Sequence, residues 1–234
     1  MTGLLTHEQL PPDFIQTIRE KSRIESEREA WHRARLGKIT GSRFAVVKKT
    51  SKGEWGETAL TYLFELVAEW LSGEPASNFS GNRATDWGNE NEPEALKLYT
   101  KQTGRKVLAS KFFQSKEMDF VGATPDGLVG KDGIVEVKCP FTPKNHMRTV
   151  LTKQVPDEYR DQVNGHLMVT GRKWCDFISY DPRPTDDRWR LTIVRVERDE
   201  QAINELRERL LEFEKMMIQS LKDLDYPIDT ILSV

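Results

Sequence analysis

The sequence predicts an α/β fold in which a central β-sheet is flanked by helices. Two observations carry this prediction. Apolar residues recur every three to four positions over about 58–71 and over 199–222, a spacing typical of amphipathic helices. Runs rich in β-branched and aromatic residues near 133–139, 174–180 and 189–196 are typical of strands. Because helices lie before, between and after these strands, we expect helical layers packed on a sheet.

The remaining elements follow from turn and capping residues. Residues 1–12 are expected to form a loose arm, and residues 13–33 a polar, highly charged helix. A loop at 74–86 precedes a helix at 93–103, in which Pro93 takes the first helical position and Glu92 the N-cap. The other predicted elements are strands near 106–114 and 118–123, a connecting loop at 141–156 and a helix near 157–170.

Composition favours one domain over residues 1–234 and a cytoplasmic location. The chain is 37% hydrophobic, which allows a sizeable core. It has no signal-peptide pattern and no apolar run of about 18 residues, so we expect no membrane association. Two cysteines and four scattered histidines lack the spacing of a zinc or iron–sulfur site. Free thiols suit a reducing cytoplasm.

Charge is distributed unevenly along the chain. The net charge of −2 does not by itself indicate a nucleic-acid-binding protein. Residues 31–53, however, hold seven Lys or Arg and no acid, whereas residues 185–234 hold twelve acids and eight bases. Contact with DNA is therefore expected to be local. The candidate contact residues in the basic segment are Trp31, Arg43, Lys48 and Lys49. The predicted loop at 141–156, which has no acid, adds Lys144 and Arg148.

The motif with the clearest chemistry is an aspartate followed by a glutamate and a lysine two positions apart. Asp126 lies in Pro-Asp-Gly, and Glu136 and Lys138 lie on a predicted strand. Strand side chains alternate between faces, so Glu136 and Lys138 share one face and Val137 points to the other. The turn at 130–133 is expected to fold Asp126 back beside Glu136. Two carboxylates and an amine would then converge on one point.

This combination suits metal-dependent cleavage of a phosphodiester. Mg²⁺ prefers carboxylate, carbonyl and water oxygens, which Asp126, Glu136 and the backbone carbonyl of Val137 can supply. Lys138 would stabilise developing charge, because an amine with an ordinary pKa of about 10.4 stays protonated at neutral pH. Each half of the motif also has a plainer interpretation. An acid and a lysine alternate on many solvated strands, and Pro-Asp-Gly is a common turn.

The chain further resembles the phage lambda exonuclease family, which includes the YqaJ-like viral recombinases and is a branch of the PD-(D/E)xK nuclease superfamily. Five ordered blocks carry the resemblance: Trp-His-x-x-Arg-Leu-Gly with Ile-Thr-Gly-Ser at 31–42, Trp-Gly with a glutamate at 87–92, Thr-Pro-Asp-Gly at 124–127, Glu-x-Lys-Cys-Pro-Phe-Thr at 136–142, and Tyr159 with Gln-Val at 162–163 and Tyr-Asp-Pro-Arg at 180–183. The resemblance implies a restriction-endonuclease-like core with a mixed central sheet.

The resemblance also implies a function. It is that of a Mg²⁺-dependent exonuclease that digests linear duplex DNA 5′ to 3′ from phosphorylated ends and leaves 3′ overhangs for recombination. Two Mg²⁺ per site, with Mn²⁺ as a substitute, a ring-shaped homotrimer and a single-strand annealing recombinase as partner are implied as well. By position, Glu92 and Gln162 complete the catalytic centre, and Arg35, Ser42 and Thr124 bind the 5′-phosphate. The alternatives are an endonuclease on the same core, which would cut closed circles, and, remotely, a non-catalytic DNA-binding subunit.

Overall fold

The structure is a computed structural model that describes residues 25–26, 29–76 and 82–229. The chain divides into a short N-terminal unit that ends at Arg35 and a main unit that begins at Leu36. In the N-terminal unit, residues 25–26 and 29–35 are helical. The predicted arm at 1–12 and most of the predicted helix at 13–33 lie outside the described residues. The single domain over 1–234 stays a prediction.

Helices and strands alternate in the main unit. Its α-helices are α1 (Glu57–Ser72), α2 (Arg83–Thr103), α3 (Pro143–Thr152), α4 (Asp157–Thr170) and α5 (Glu200–Asp223). Its strands are β1 (Ile39–Thr40), β2 (Val107–Leu108), β3 (Phe113–Gln114), β4 (Val121–Ala123), β5 (Gly127–Val129), β6 (Gly133–Lys138), β7 (Trp174–Tyr180) and β8 (Leu191–Glu197). Short 3₁₀ helices span Gly41–Val46 and Asp187–Trp189.

The strands form a five-stranded sheet in the order β2-β5-β6-β7-β8 and a three-stranded sheet in the order β1-β4-β3. In the larger sheet, β6 and β7 are parallel and the other neighbours are antiparallel. A parallel pair needs a crossover connection, which α3 and α4 provide between β6 and β7. The predicted α/β fold with a mixed sheet flanked by helices is confirmed.

The two faces of the larger sheet pack against different helices. On one face, Val135 and Val137 of β6 are buried with Ala95 and Tyr99 of α2. On the other face, apolar residues of β6 and β7 pack with residues of α4 and α5, namely Ile134, Phe177, Val163, Leu167 and Ile203. Alternation along β6 therefore directs Glu136 and Lys138 to the face covered by α4. A third apolar cluster joins α1, α5, β1 and β4.

The helix predicted at 93–103 begins ten residues earlier, at Arg83. The side chain of Asn82 caps it by accepting hydrogen bonds from the backbone N–H groups of Ala84 and Thr85. The prediction that Glu92 is the N-cap is therefore wrong. Pro93 lies inside the helix, and the polar residues before it gave no apolar periodicity from which to extend the prediction. The part of the predicted loop at 77–81 lies outside the described residues.

The segment at 141–156 is not a plain loop, because it contains α3. Pro143 occupies the first helical turn, which its fixed φ angle favours. His146, Thr149 and Val150 form a buried face with helical spacing. Two members of this face are polar, so hydrophobic periodicity alone does not reveal the helix. The strand predicted at 106–114 is two short strands, and β5 was not predicted. None of the described helices is both long enough and apolar enough to cross a bilayer.

Candidate active site

The hairpin of β5 and β6 brings Asp126 beside Glu136, as the sequence predicts. β5 and β6 are antiparallel, with Gly127 opposite Val135. The Asp126 backbone N–H donates to the Val135 carbonyl at 3.2 Å. Its carboxylate Oδ2 accepts from the Val137 backbone N–H at 2.6 Å. Asp126 directly precedes β5, and its carboxylate accepts the hydrogen bond that a backbone carbonyl would accept if the pairing with β6 continued. The side chain is therefore held at this end of the strand pair.

Glu136 and Lys138 share one face of β6 and form an ion pair. Lys138 Nζ lies 2.7 Å from Glu136 Oε1. The Glu136 side chain is 1% exposed and that of Lys138 is 24% exposed. The carboxylate is therefore enclosed, whereas the ammonium reaches the surface of the site. Asp126, Glu136 and Lys138 converge at the same end of the hairpin.

Helix α4 covers these residues with two side chains that the sequence did not single out for the site. His166 Nδ1 lies 3.1 Å from Glu136 Oε2, and the imidazole is 1% exposed. The ring centre of Tyr159 lies 5.0 Å from Lys138 Nζ. From sequence, Tyr159 entered only as part of the family resemblance, and His166 was given no role. The available signal was their spacing, because they lie three residues before and four residues after Gln162.

That spacing also places Gln162. Residues three and four apart are neighbours on a helix surface, so Gln162 lies on the same face of α4 as Tyr159 and His166. It is half-buried. The spacing and the half-burial put Gln162 on the face of α4 that carries these two residues, and its part in catalysis stays a prediction.

The electrostatics of the two carboxylates differ. Burial and the negative charge of Glu136 raise the pKa of Asp126 well above its ordinary value. Burial alone would raise the pKa of Glu136 too, but Lys138 and His166 outweigh it and lower that pKa to about 2. Glu136 is thus ionised at neutral pH, whereas Asp126 is held ionised only at a cost in free energy.

Lys138 and Glu92 respond to the same charges. Burial would lower the pKa of Lys138, but Glu136 and Asp126 offset it and raise the pKa above its ordinary value. Lys138 is therefore a cation at neutral pH. Glu92, from the middle of α2, has a raised pKa because of burial and the charge of Glu136. The structure thus brings Glu92 within electrostatic range of Glu136 and Lys138. The site therefore contains three carboxyl groups and one lysine.

These residues fit a divalent cation. Both carboxylate oxygens of Glu136 are buried and lack a hydrogen bond of standard geometry within the described part of the chain. Burial and the charge of Glu136 raise the pKa values of nearby Asp126 and Glu92, because three ionised carboxylates carry more negative charge than Lys138 compensates. The described residues contain no group of three His, Cys, Asp or Glu already arranged as ligands. Mg²⁺ needs no such group, because it binds through one or two carboxylates and keeps several waters.

Ser42 and Thr124, the predicted phosphate-binding hydroxyls, follow neighbouring elements. Ser42 is the second residue of the 3₁₀ helix after β1, and Thr124 follows β4. β1 and β4 are paired in parallel. A Cβ atom added to Gly41 would lie 3.7 Å from the Cβ of Ala123 and 2.4 Å from Nε2 of His166. The residues that precede them, Gly41 and Ala123, therefore lie beside the histidine that contacts Glu136, and Ser42 and Thr124 follow at the same end of the paired strands.

Arg35 and Trp31 are described within the N-terminal unit. The guanidinium carbon of Arg35 lies 4.2 Å from the centre of the Trp31 ring, a cation–π distance. Arg35 is half-buried and Trp31 is 38% exposed. An aromatic side chain therefore packs beside this arginine. The place of both residues in phosphate or DNA binding stays a prediction.

The other predicted DNA contacts differ in their surroundings. In the basic segment, three cations pair with acids from distant elements: Arg43 with Glu65 at 2.8 Å, Lys48 with Asp161 at 3.5 Å, and Lys49 with Glu212. This positive charge is therefore partly compensated within the protein, which the acid-free segment did not indicate. On α3, Lys144 is exposed and Arg148 lies 3.8 Å from Glu158 with half of its side chain exposed. DNA contact by all five residues stays a prediction.

Comparison with known proteins identifies the family to which the chain belongs. The YqaJ-like viral recombinase domain matches residues 30–173. An alkaline exonuclease, LHK-Exo from Laribacter hongkongensis, is 33% identical over 87% of this chain and 99% of its own, with a TM-score of 0.77. Its complex with dAMP matches with the same identity and coverage and a TM-score of 0.78.

A phage-related exonuclease from Haemophilus somnus 129PT is 20% identical over 80% of this chain and 96% of its own, with a TM-score of 0.62, and shows the same fold. No curated protein matches the chain. The domain match covers more than half of the chain, and the alkaline exonuclease aligns over almost its whole length. The chain therefore belongs to the YqaJ-like viral recombinase family, and its likeness to an alkaline exonuclease supports a nuclease.

Proposed function

We propose that the protein is a Mg²⁺-dependent exonuclease that hydrolyses one strand of linear duplex DNA from 5′-phosphorylated ends. The observation that carries this proposal is the convergence of Asp126, Glu136 and Lys138 at one end of the β5–β6 hairpin. Two carboxylates beside a partly exposed ammonium suit a cation and a phosphodiester. LHK-Exo has been captured with dAMP, which supports a deoxynucleotide product.

Asp126 and Glu136 would hold the cation together with the Val137 carbonyl. The Val137 N–H points toward Asp126, and the N–H and C=O of one strand residue point to the same side. The Val137 carbonyl therefore faces the edge at which Asp126 lies. When bound, Mg²⁺ supplies Lewis-acid stabilisation of the phosphate oxygens and lowers the pKa of a bound water. A second ion and substitution by Mn²⁺ are part of the proposal.

Lys138 would stabilise charge on the scissile phosphate rather than remove a proton. Its pKa is raised by the neighbouring carboxylates, so it remains a hydrogen-bond donor at neutral pH. A fixed cation beside the developing charge lowers the barrier without reorganisation. Glu92 would accept a proton or bind the cation through water, which its raised pKa allows. Gln162, on the face of α4 toward Lys138, would orient the attacking water or the phosphate.

Recognition of the DNA end would rest on Arg35, Ser42 and Thr124. A guanidinium binds a terminal phosphate through two parallel hydrogen bonds, and the two hydroxyl residues follow paired strands at the end where Gly41 meets His166. Digestion from this end would leave 3′ overhangs for a single-strand annealing recombinase in the bacterial cytoplasm. A homotrimeric ring around the duplex belongs to the same proposal.

The decisive assay uses linear duplex DNA labelled at the 3′ end of one strand, with either a 5′-phosphate or a 5′-hydroxyl, together with covalently closed circles. Each substrate is incubated with Mg²⁺ or EDTA, and Lys138→Ala serves as the matched inactive protein. We expect stepwise loss of nucleotides from phosphorylated 5′ ends, slow reaction of hydroxyl ends, intact circles and no reaction in EDTA.

Other outcomes change the proposal in defined ways. Cleaved circles would assign the protein to the endonucleases and leave Arg35 without its role at the end. Equal rates on phosphate and hydroxyl ends would remove the proposed phosphate pocket but keep the exonuclease. Absence of cleavage by the wild type on every substrate would contradict the nuclease itself, provided that the protein is folded and binds DNA.

A further inference from the structure

The histidine on α4 makes a contact that the hydrolytic roles do not use. His166 Nδ1 lies 3.1 Å from Oε2 of Glu136, and both side chains are 1% exposed. Lys138 Nζ lies 2.7 Å from the other oxygen, Oε1. Each oxygen of the carboxylate therefore faces one nitrogen. Lys138 by itself would leave the Glu136 carboxylate free to rotate about its Cγ–Cδ bond, whereas a nitrogen facing each oxygen restricts that rotation.

The opposite edge of the imidazole is confined by a glycine. A Cβ atom added to Gly41 would lie 2.4 Å from His166 Nε2 and 2.7 Å from its Cδ2. Real Cβ atoms do not approach other atoms so closely, so the ring fits against the 3₁₀ helix only because residue 41 has no side chain. The imidazole is held between Gly41 on one side and Glu136 on the other.

A second close approach makes this interface rigid. A Cβ atom added to Gly165, next to His166 on α4, would lie 2.1 Å from the Phe44 ring. Phe44 belongs to the same 3₁₀ helix as Gly41 and is fully buried. The 3₁₀ helix and α4 thus meet at one glycine from each element. Tightly packed elements resist small displacements, so the backbone of His166 keeps its place relative to the 3₁₀ helix and the imidazole stays confined between Gly41 and Glu136.

The geometry assigns His166 as the positioning residue that orients Glu136 for cation binding, with Gly41 providing the space that the imidazole needs. This inference rests on the proposed function of Glu136 as a cation ligand. Groups that hold a metal-binding side chain in place typically contribute 10–100-fold to metal affinity or activity. His166 does not touch the cation in this assignment, and it acts only through the orientation of the carboxylate.

The test compares cation binding by folded variants in the absence of DNA. Mn²⁺ affinity is measured by calorimetry for wild type, His166→Leu and His166→Asn. Leucine fills much of the space but offers no donor, so we expect Mn²⁺ to bind about 10–100-fold more weakly. Asparagine places an amide nitrogen near the position of Nδ1, so we expect most of the affinity to return. The half-saturating Mg²⁺ concentration for cleavage should follow the same order, with the KM for DNA unchanged.

His146 offers a matched control. It is also fully buried, but its ring nitrogens pair with the Ser179 hydroxyl at 2.8 Å and the Trp189 carbonyl at 2.6 Å. His146→Leu should therefore lower stability without a comparable change in Mn²⁺ affinity. A loss of affinity as large as that of His166→Leu would mean that any buried histidine has this effect, and it would overturn the assignment.

Substitution of Gly41 provides a second, independent test of the same inference. Gly41→Ala should weaken Mn²⁺ binding by pushing the imidazole away from its place. Gly41→Ala combined with His166→Asn should bind more tightly than Gly41→Ala alone, since asparagine has no atom at the position of Nε2. Losses that simply add, or wild-type affinity in folded His166→Leu, would overturn the inference. If the wild type binds Mn²⁺ but cleaves no DNA, the proposed function fails and the role of His166 in binding is still decided.

Discussion

Asp126 and Glu136 are expected to affect stability in opposite directions. Their pKa values move apart, because that of Asp126 is raised by burial and by Glu136, whereas that of Glu136 is lowered to about 2 against the effect of burial. In the metal-free protein at pH 7, Asp126→Asn should raise the free energy of unfolding, because it removes a charge that the site disfavours. Glu136→Gln should lower it. Both substitutions should abolish turnover.

The contribution of Glu136 to the free energy of unfolding can be estimated from its pKa shift. A decrease from the ordinary value of 4.5 to about 2, at about 1.4 kcal/mol per pH unit, gives about 3 kcal/mol in favour of the folded state. Because the folded-state pKa is the lower one, this stabilisation is present above about pH 4.5 and is lost as the pH falls toward 2. Asp126 has the opposite sign, since its raised pKa makes the ionised form costly as the pH rises.

Urea denaturation in EDTA at pH 7, followed by tryptophan fluorescence, measures both effects. Asp126→Asn should move the midpoint to higher urea and Glu136→Gln to lower urea, with similar slopes. Adding Mg²⁺ should stabilise the wild type and should no longer stabilise either variant. If both variants shift in the same direction, the opposed pKa values do not describe this site, and the argument for a cation drawn from excess negative charge fails with them.

Three further expectations follow from the same geometry. Lys138→Ala should lower kcat by about 10²–10³-fold while DNA binding in Ca²⁺, measured by fluorescence anisotropy, stays near that of wild type; strong residual cleavage would refute the role of Lys138. The half-saturating Mg²⁺ concentration should fall as the pH rises, because Asp126 and Glu92 have raised pKa values and must lose protons to bind a cation; a pH-independent value would contradict this. Arg35→Ala should equalise cleavage rates on 5′-phosphate and 5′-hydroxyl ends, and a retained preference would assign end recognition to other residues.

The sequence was sufficient for the fold class and for the catalytic strand. Period-two alternation predicted that Glu136 and Lys138 share a face, and a glycine-rich turn predicted that Asp126 folds back beside them; both are confirmed by the contacts of Asp126 and Lys138. The sequence was insufficient to predict helices whose position depends on polar rather than apolar residues. α3 buries His146 and Thr149 among its few inward positions, and the first part of α2 depends on the Asn82 cap rather than on apolar spacing.

The sequence did not identify His166, which contacts Glu136 from the helix packed on that face of the sheet. His166 reaches Glu136 from thirty residues away in the chain, and its fit depends on Gly41, which is farther still. A histidine among apolar residues on a helix indicates a core position, and only the packing of α4 on β6 turns it toward a carboxylate. Similarly, Lys48 and Lys49 lie in an acid-free segment, yet they meet acids from α4 and α5.

Strand β6 occupies the middle of its sheet, paired over six residues with β7 and over three with β5. The 3₁₀ helix that carries Ser42 follows a strand of two residues, which pairs with β4 at the edge of the smaller sheet. Segments with few pairing partners open locally at a lower free-energy cost than central strands. Amide protons of β6 should therefore be among the slowest to exchange, whereas protection around Ser42 should depend on the packing of the 3₁₀ helix against α4. On gradual warming, discrimination between phosphorylated and unphosphorylated ends should be lost together with the packing around His166, while β6 is still protected from exchange.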